Sequence, residues 1–209
     1  MLAWGALTSL LIFCLTLVGS LPLGLLVSFG RMSKLTPLRW FMRFYISIMR
    51  GTPLILQLFI VYFGPFLLFG IPIGQNYRLT ATLIAFILNY AAYFGEIYRS
   101  GIESIPRGQH EAAAVLGYSR SQTFLRIIFP QVIKRIIPPL TNEIITLVKD
   151  TALAFTLGVA EMFTQARAIV SSQGNLIAFL IAGVFYYAFN ALVAFIMERV
   201  EKAFAYYRE

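Results

Sequence analysis

Apolar residues in this chain come in long blocks rather than in the alternation of a half-buried strand or the one-sided stripe of a soluble helix. A first block covers about 4–30 and a second about 53–71, ending in the turn signal Gly70-Ile71-Pro72-Ile73-Gly74. A third covers about 79–98. A fourth, about 136–170, is interrupted by polar residues, and a fifth covers about 176–197. About 20 apolar residues suffice to cross roughly 30 Å of hydrocarbon. The pattern therefore predicts an all-α integral membrane protein of about five transmembrane helices forming one domain, 1–209. The first block has no Lys or Arg before Arg31 and is longer than the apolar core of a signal peptide, so a retained span is expected.

Between the blocks lie polar, basic stretches. Segments 31–50, 99–135 and 198–209 carry five, six and three Lys or Arg, whereas the intervening connections carry only Arg78 and Arg167, with Lys149 in or near the membrane. Fourteen against two places the crowded side in the cytoplasm. The N-terminus is then outside and the C-terminus inside. Trp4, Trp40, Tyr77 and Tyr206 fall near the predicted interfaces, where aromatic belts form.

Composition agrees. Of 209 residues 59% are hydrophobic and 12% charged, about half the charge of a typical soluble domain. The net charge of +8 follows the predicted topology, so no nucleic-acid partner is expected. The single cysteine, Cys14, has no intrachain partner, and one histidine with one cysteine makes no metal site. His110 reads as a surface residue. No G-x-x-x-x-G-K-[ST] loop occurs, so the chain is not expected to hydrolyse ATP, and no Gly-x-Ser-x-Gly elbow occurs. Nor is there an internal repeat of the kind that builds many carriers.

The longest predicted cytoplasmic segment, 99–135, reads as structured. Gly101, Pro106 and Gly108 break the chain. Glu111-Ala112-Ala113-Ala114-Val115-Leu116 is a run of helix formers and Gly117 a helix terminator. Ser119 or Ser121 is placed to cap a second helix over about 121–129, closed by Pro130. A short exposed helix of this kind suits docking in a partner's groove; a plain connecting hairpin is the alternative.

Glu111-Ala112-Ala113, Gly117, Ile127 and Phe129-Pro130 match, at every spacing, the EAA loop of binding-protein-dependent ABC importer permeases, with Phe129 in place of Leu. Arg50-Gly51-Thr52-Pro53 with Gln57 resembles the polar amino acid branch of that family. So do Tyr93, Glu96, Arg99, Gly101, Ile102 and Gly108-Gln109, and Asn142-Glu143 with Lys149-Asp150-Thr151. The resemblance covers roughly 45–165 and implies a type I importer permease of the cell inner membrane. By it, Gly108, Glu111, Ala112, Ala113 and Gly117 would contact a cytoplasmic ABC ATPase dimer. A second permease subunit, identical or related, would complete the pathway, and an external binding protein would deliver an amino acid. The chain itself would hold no cofactor; ATP and Mg would belong to the ATPase.

Ionisable residues inside spans are costly and are paired or line a pathway. Glu96 and Arg99 are spaced for a helical ion pair. Glu143 and Asp150, two turns apart, share a face roughly 10 Å apart, beside Asn142 and Thr146. Thr151-Ala152-Leu153-Ala154 and Gly158 suggest a helix break before Glu161. Asn142, Glu143, Asp150 and Glu161 are the candidate pathway residues, against a role as ion pairs between spans. Gln57, Asn89, Tyr62 and Tyr90 are placed to add neutral hydrogen bonds, and Glu96 lies at the cytoplasmic end. Three acids against one Lys lean toward arginine, lysine or histidine as the solute. The rival readings are an ATP-independent channel or carrier subunit and a membrane anchor.

Overall fold

The computed structural model describes residues 1–74 and 76–204; Tyr206 and Arg208 lie outside them. Among the described residues nine α-helices follow one another: α1 Leu2–Met32, α2 Thr36–Gly51, α3 Leu54–Phe69, α4 Tyr77–Glu103, α5 Arg107–Val115, α6 Arg120–Thr123, α7 Phe129–Asp150, α8 Met162–Gln173 and α9 Ile177–Phe204. Among the described residues α1, α4 and α9 are long and apolar enough to span a membrane, and α2 with α3 qualifies as one broken span bent by 112°. The interrupted fourth block is α7, a 3-10 helix over Thr151–Leu157, and α8. Charges, amides and three prolines keep it below the apolarity of the others.

The core is the crossing of α1 and α4. Small residues of α1 recur at steps of four on its buried face, at Gly5 and Ser9 and again at Thr16, Ser20, Gly24 and Ser28, with Ile12 and Phe13 between the two runs. Lipid chains are as apolar as Leu, so helices in a bilayer gain most by close backbone approach. At Gly95 an added Cβ would lie 2.8 Å from Val27 Cγ1 and 3.1 Å from the Gly24 carbonyl oxygen, so these two helices are as near as glycine allows. Phe86, Tyr90 and Phe94, one turn apart on α4, fill the centre together with Ile12 and Leu147.

Segment 31–50, expected as a polar stretch between spans, contains a helix. α2 buries Ile46 and packs Met42, Tyr45 and Met49 beside Val27 of α1 and Ala92 of α4. Its arginines masked an amphipathic period.

The segment after α4 also differs from expectation in one respect. α5 ends at Gly117 with φ 77°, where Tyr118 N–H donates to the Ala113 carbonyl at 3.0 Å and Gly117 N–H to that of Ala114 at 3.0 Å. This is the glycine-dependent Schellman closure. Ser119 then caps α6 in a reciprocal box with Gln122. Pro130, however, does not close this helix. A π-helical turn over Phe124–Ile128 inserts one residue, and the chain continues as α7 with Pro130 in its first turn. A proline ring clashes with the carbonyl four residues back; the wider turn carries the Phe129 N–H to the Phe124 carbonyl instead and relieves it.

Candidate functional site

The polar residues singled out in the sequence fall into four places. In the first, α7 meets α4. Tyr90, almost fully buried, donates its hydroxyl hydrogen to Asp150 Oδ2 at 2.7 Å. Asp150 is the last residue of α7, where the helix tightens into the 3-10 turn and Thr151 Oγ1 donates to the Val148 carbonyl at 2.8 Å. Two turns earlier Glu143 is half-buried and makes no hydrogen bond or ion pair among the described residues. Asn142 and Lys149 are exposed, and Thr146 turns its hydroxyl back to the Asn142 carbonyl at 2.9 Å. This strip of α7 is too polar to face lipid at low cost. It suits a water-filled or protein-lined path.

The border of that strip comes from α2 and α4. Tyr93 lies one turn beyond Tyr90, ring centroids 6.2 Å apart. The Arg50 guanidinium sits over the Tyr93 ring at 5.2 Å from its centroid and within electrostatic reach of Glu143. Tyr93 and Arg50 were not singled out as site residues from the sequence. The three-residue spacing of Tyr90 and Tyr93 was the available signal. The Glu143 and Asp150 carboxylates, with the Tyr93 ring at their border, form a strip able to attract a cationic group by charge.

The second place is the bend between α2 and α3. Asn89 Nδ2 donates to the Met49 carbonyl at 3.0 Å and to Gln57 Oε1 at 2.9 Å. Gln57 Nε2 reaches the same Met49 carbonyl at 3.0 Å and Thr52 Oγ1 at 2.9 Å. Carbonyls near a helix end lack intrahelical partners, and these two buried amides supply them. Gln57 and Asn89 thus brace the broken span.

The third is the enclosed N-terminus of α8, where Glu161 sits with no solvent exposure. Oε1 accepts from Thr164 N–H at 2.6 Å and Thr164 Oγ1 at 2.7 Å; Oε2 accepts from Phe163 N–H at 2.7 Å and Tyr186 OH at 2.9 Å. A carboxylate at a helix N-terminus, meeting free N–H groups and the positive end of the dipole, is a capping arrangement. No hydrogen bond among the described residues links it to Asp150. The structure holds Glu161 fully buried in this cap, whereas Asn142 is exposed and Glu143 and Asp150 are part-buried on α7.

The fourth is the end of α4 that carries the basic segments. Arg99 pairs with Glu96, its Nε donating to Glu96 Oε2 at 3.0 Å, and also with Glu103. Beyond it Gly108, His110, Glu111, Ala112 and Gly117 are exposed, whereas Ala113 turns inward at 1% exposure. Val115 at 88% and Leu116 at 73% leave an uncovered apolar tip on α5.

A helical bundle with a broken second span, a braced polar strip and a protruding helix–glycine–helix element is an importer permease architecture. Residues 20–206 match the family described as binding-protein-dependent transport system inner membrane component, and the chain belongs to that family. Over 95% of its length it is 40% identical to the probable amino-acid ABC transporter permease protein YckA of Bacillus subtilis (strain 168), covering 87% of that protein. It is 38% identical to the arginine transport system permease protein ArtQ of the same organism, over 95% of this chain and 90% of ArtQ. A crystal structure of an amino acid ABC transporter with histidines superposes with a TM-score of 0.87 at 30% identity, covering 97% of this chain and 93% of that one. The chain is an amino-acid ABC importer permease, a multi-pass inner-membrane transport subunit rather than an enzyme.

Proposed function

We propose that the chain moves cationic amino acids, arginine, lysine or histidine, into the cell by alternating access. The observation that carries this reading is the pair of carboxylates on one face of α7, Glu143 without a hydrogen-bond or ion-pair partner among the described residues and Asp150 held by Tyr90 at 2.7 Å. A guanidinium, ammonium or imidazolium group meets both charge and acceptor geometry there. Asn142 adds an amide for the solute's own carboxylate or amino group. The name of ArtQ and the histidines in the solved neighbour support the same class.

A second permease subunit, a further copy of this chain, would face the α7 strip across the pathway. An external binding protein would deliver the solute. Two cytoplasmic ATPase subunits would hold ATP and Mg and receive α5 through Gly108, Glu111, Ala112 and Gly117, with Ala113 packed behind. Closure of the ATPases on ATP would rock the spans between inward-open and outward-open states, and segment 99–135 would be the coupling loop. The domain as a whole, 1–209, is a single permease unit in this reading.

The test is labelled arginine uptake into proteoliposomes holding this chain, its ATPase and its binding protein, with and without ATP inside. Uptake should require ATP. Asp150→Asn and Glu143→Gln keep shape and remove one charge each. With about 1.5–3 kcal/mol for a hydrogen bond to a charged group, each should raise the KM for arginine roughly tenfold to a hundredfold and leave assembly intact. An unchanged KM, or an equal loss for neutral amino acids, would remove the cationic reading. Uptake without ATP would remove the importer mechanism.

A further inference from the structure

The first 95 residues contain no Asp or Glu, yet they hold Arg31, Lys34, Arg39, Arg43, Arg50 and Arg78. Three of these lie on α2. At about 100° per residue, Arg39, Arg43 and Arg50 fall within about 40° of one another. Neither Arg39 nor Arg43 forms an ion pair among the described residues. Trp40, Phe41, Phe44 and Ile48 occupy a different side of the helix and are all exposed, Trp40 at 66% and Phe44 at 52%. The Trp40 and Phe44 rings stack at 5.8 Å. The remaining side, Met42, Tyr45, Ile46 and Met49, packs on α1 and α4. So α2 has a protein side, a basic side and an uncovered aromatic side.

Its placement explains all three. α3 runs antiparallel along α4, with Gln57 at Asn89 and the Val61 carbonyl at Tyr77 OH. α2 departs from α3 by 112°, close to perpendicular to the span it precedes. Ile46 packs in the same cluster as Val27, five residues from the end of α1 at Met32, which is about 8 Å along the helix axis. An interfacial amphipathic helix buries its apolar face about 5–10 Å into the headgroup and acyl boundary. The positive-inside rule accounts for basic residues on this side of the membrane. It does not account for their alignment on one stripe of a helix lying in that boundary.

We propose that α2 is an in-plane membrane helix whose Arg39 and Arg43 bind the headgroups of anionic phospholipids in the cytoplasmic leaflet, while Trp40, Phe41 and Phe44 sit among the acyl chains and Arg50, at the end of the same stripe, stays over the Tyr93 ring. The guanidinium fork matches phosphate geometry, and neither Arg39 nor Arg43 is held by a carboxylate among the described residues. The bound lipids hold α2 and, through the Met49 carbonyl, the bend that Gln57 and Asn89 brace.

The chain has two tryptophans, so Trp4→Phe leaves Trp40 as a local reporter. The whole chain, purified with its ATPase, is placed in vesicles carrying brominated phosphatidylglycerol or brominated phosphatidylcholine at equal mole fraction. Both lipids should quench Trp40, phosphatidylglycerol at the lower mole fraction. The preference should fall by roughly fivefold or more in Arg39→Gln/Arg43→Gln, persist in Arg39→Lys/Arg43→Lys, and shrink in unmodified protein at about 0.5 M salt. Equal quenching by the two lipids, or a preference unchanged by the glutamines and by salt, overturns headgroup binding. Absence of quenching by either overturns the in-plane placement and assigns the face to protein, such as a second copy.

Discussion

Glu161 offers a direct test of whether a buried acid in this bundle serves structure or transport. In Glu161→Gln the shape is kept, but one oxygen becomes an amino group. If the oxygen stays at Thr164, the amino group meets the Phe163 N–H, now 2.7 Å from an acceptor. The Tyr186 hydroxyl can rotate and accept; the backbone N–H cannot. A buried N–H left without a partner costs about 1–3 kcal/mol. Loss of charge assistance at the remaining bonds and at the helix dipole adds about 1–2 kcal/mol, and relief from burying a charge offsets part of that. The net expectation is about 3 kcal/mol of destabilisation. For a chain of this size that lowers the midpoint by roughly 6–12 °C. Thermal unfolding of the purified complex in detergent, followed by intrinsic fluorescence, reads it. Tyr186→Phe, which removes one of the four contacts to the carboxylate, should lose about 1.5–3 kcal/mol. An unchanged midpoint in Glu161→Gln together with lost arginine uptake would refute the capping argument and return Glu161 to the pathway.

Three further outcomes follow from other contacts. Gly95→Ala places a methyl 2.8 Å from Val27 Cγ1 and 3.1 Å from the Gly24 carbonyl oxygen, and should cost about 1–3 kcal/mol in the same melting assay. Gly117→Ala meets no neighbouring atom but must hold φ near 77°; the strain of about 1–2 kcal/mol should leave the melting point of the bundle nearly unchanged while lowering uptake per ATP hydrolysed. Asn89→Leu strips two hydrogen bonds from the bend and should destabilise by about 2 kcal/mol, with hydrogen exchange rising first at residues 49–57 rather than along α4.

The chain's apolar blocks made the long helices α1, α4 and α9 legible, because a span needs length and apolarity and both are local. The helix–glycine–helix element after α4 was legible too, since Gly117 and Ser119 act within a few residues of themselves. Other features were not. α2 reads as a basic linker until its packing on Val27 and Ala92 shows which face is covered. Pro130 stops a helix by local rules, and only the packing of α7 against α4 and α9 shows that the chain continues through a π turn instead. The candidate site divides in the same way. Spacing along one helix puts Glu143 and Asp150 on a shared face, because helical rise is a property of the chain itself. The partner of Asp150 is 60 residues away on another helix, and Arg50 reaches the strip only through a bend of 112°. Glu161 sounds the same as Asp150 in a list of intramembrane acids. One ends a helix beside an exposed polar strip and the other begins a helix inside the bundle, a difference set by the fold around each carboxylate and not by its neighbours in sequence.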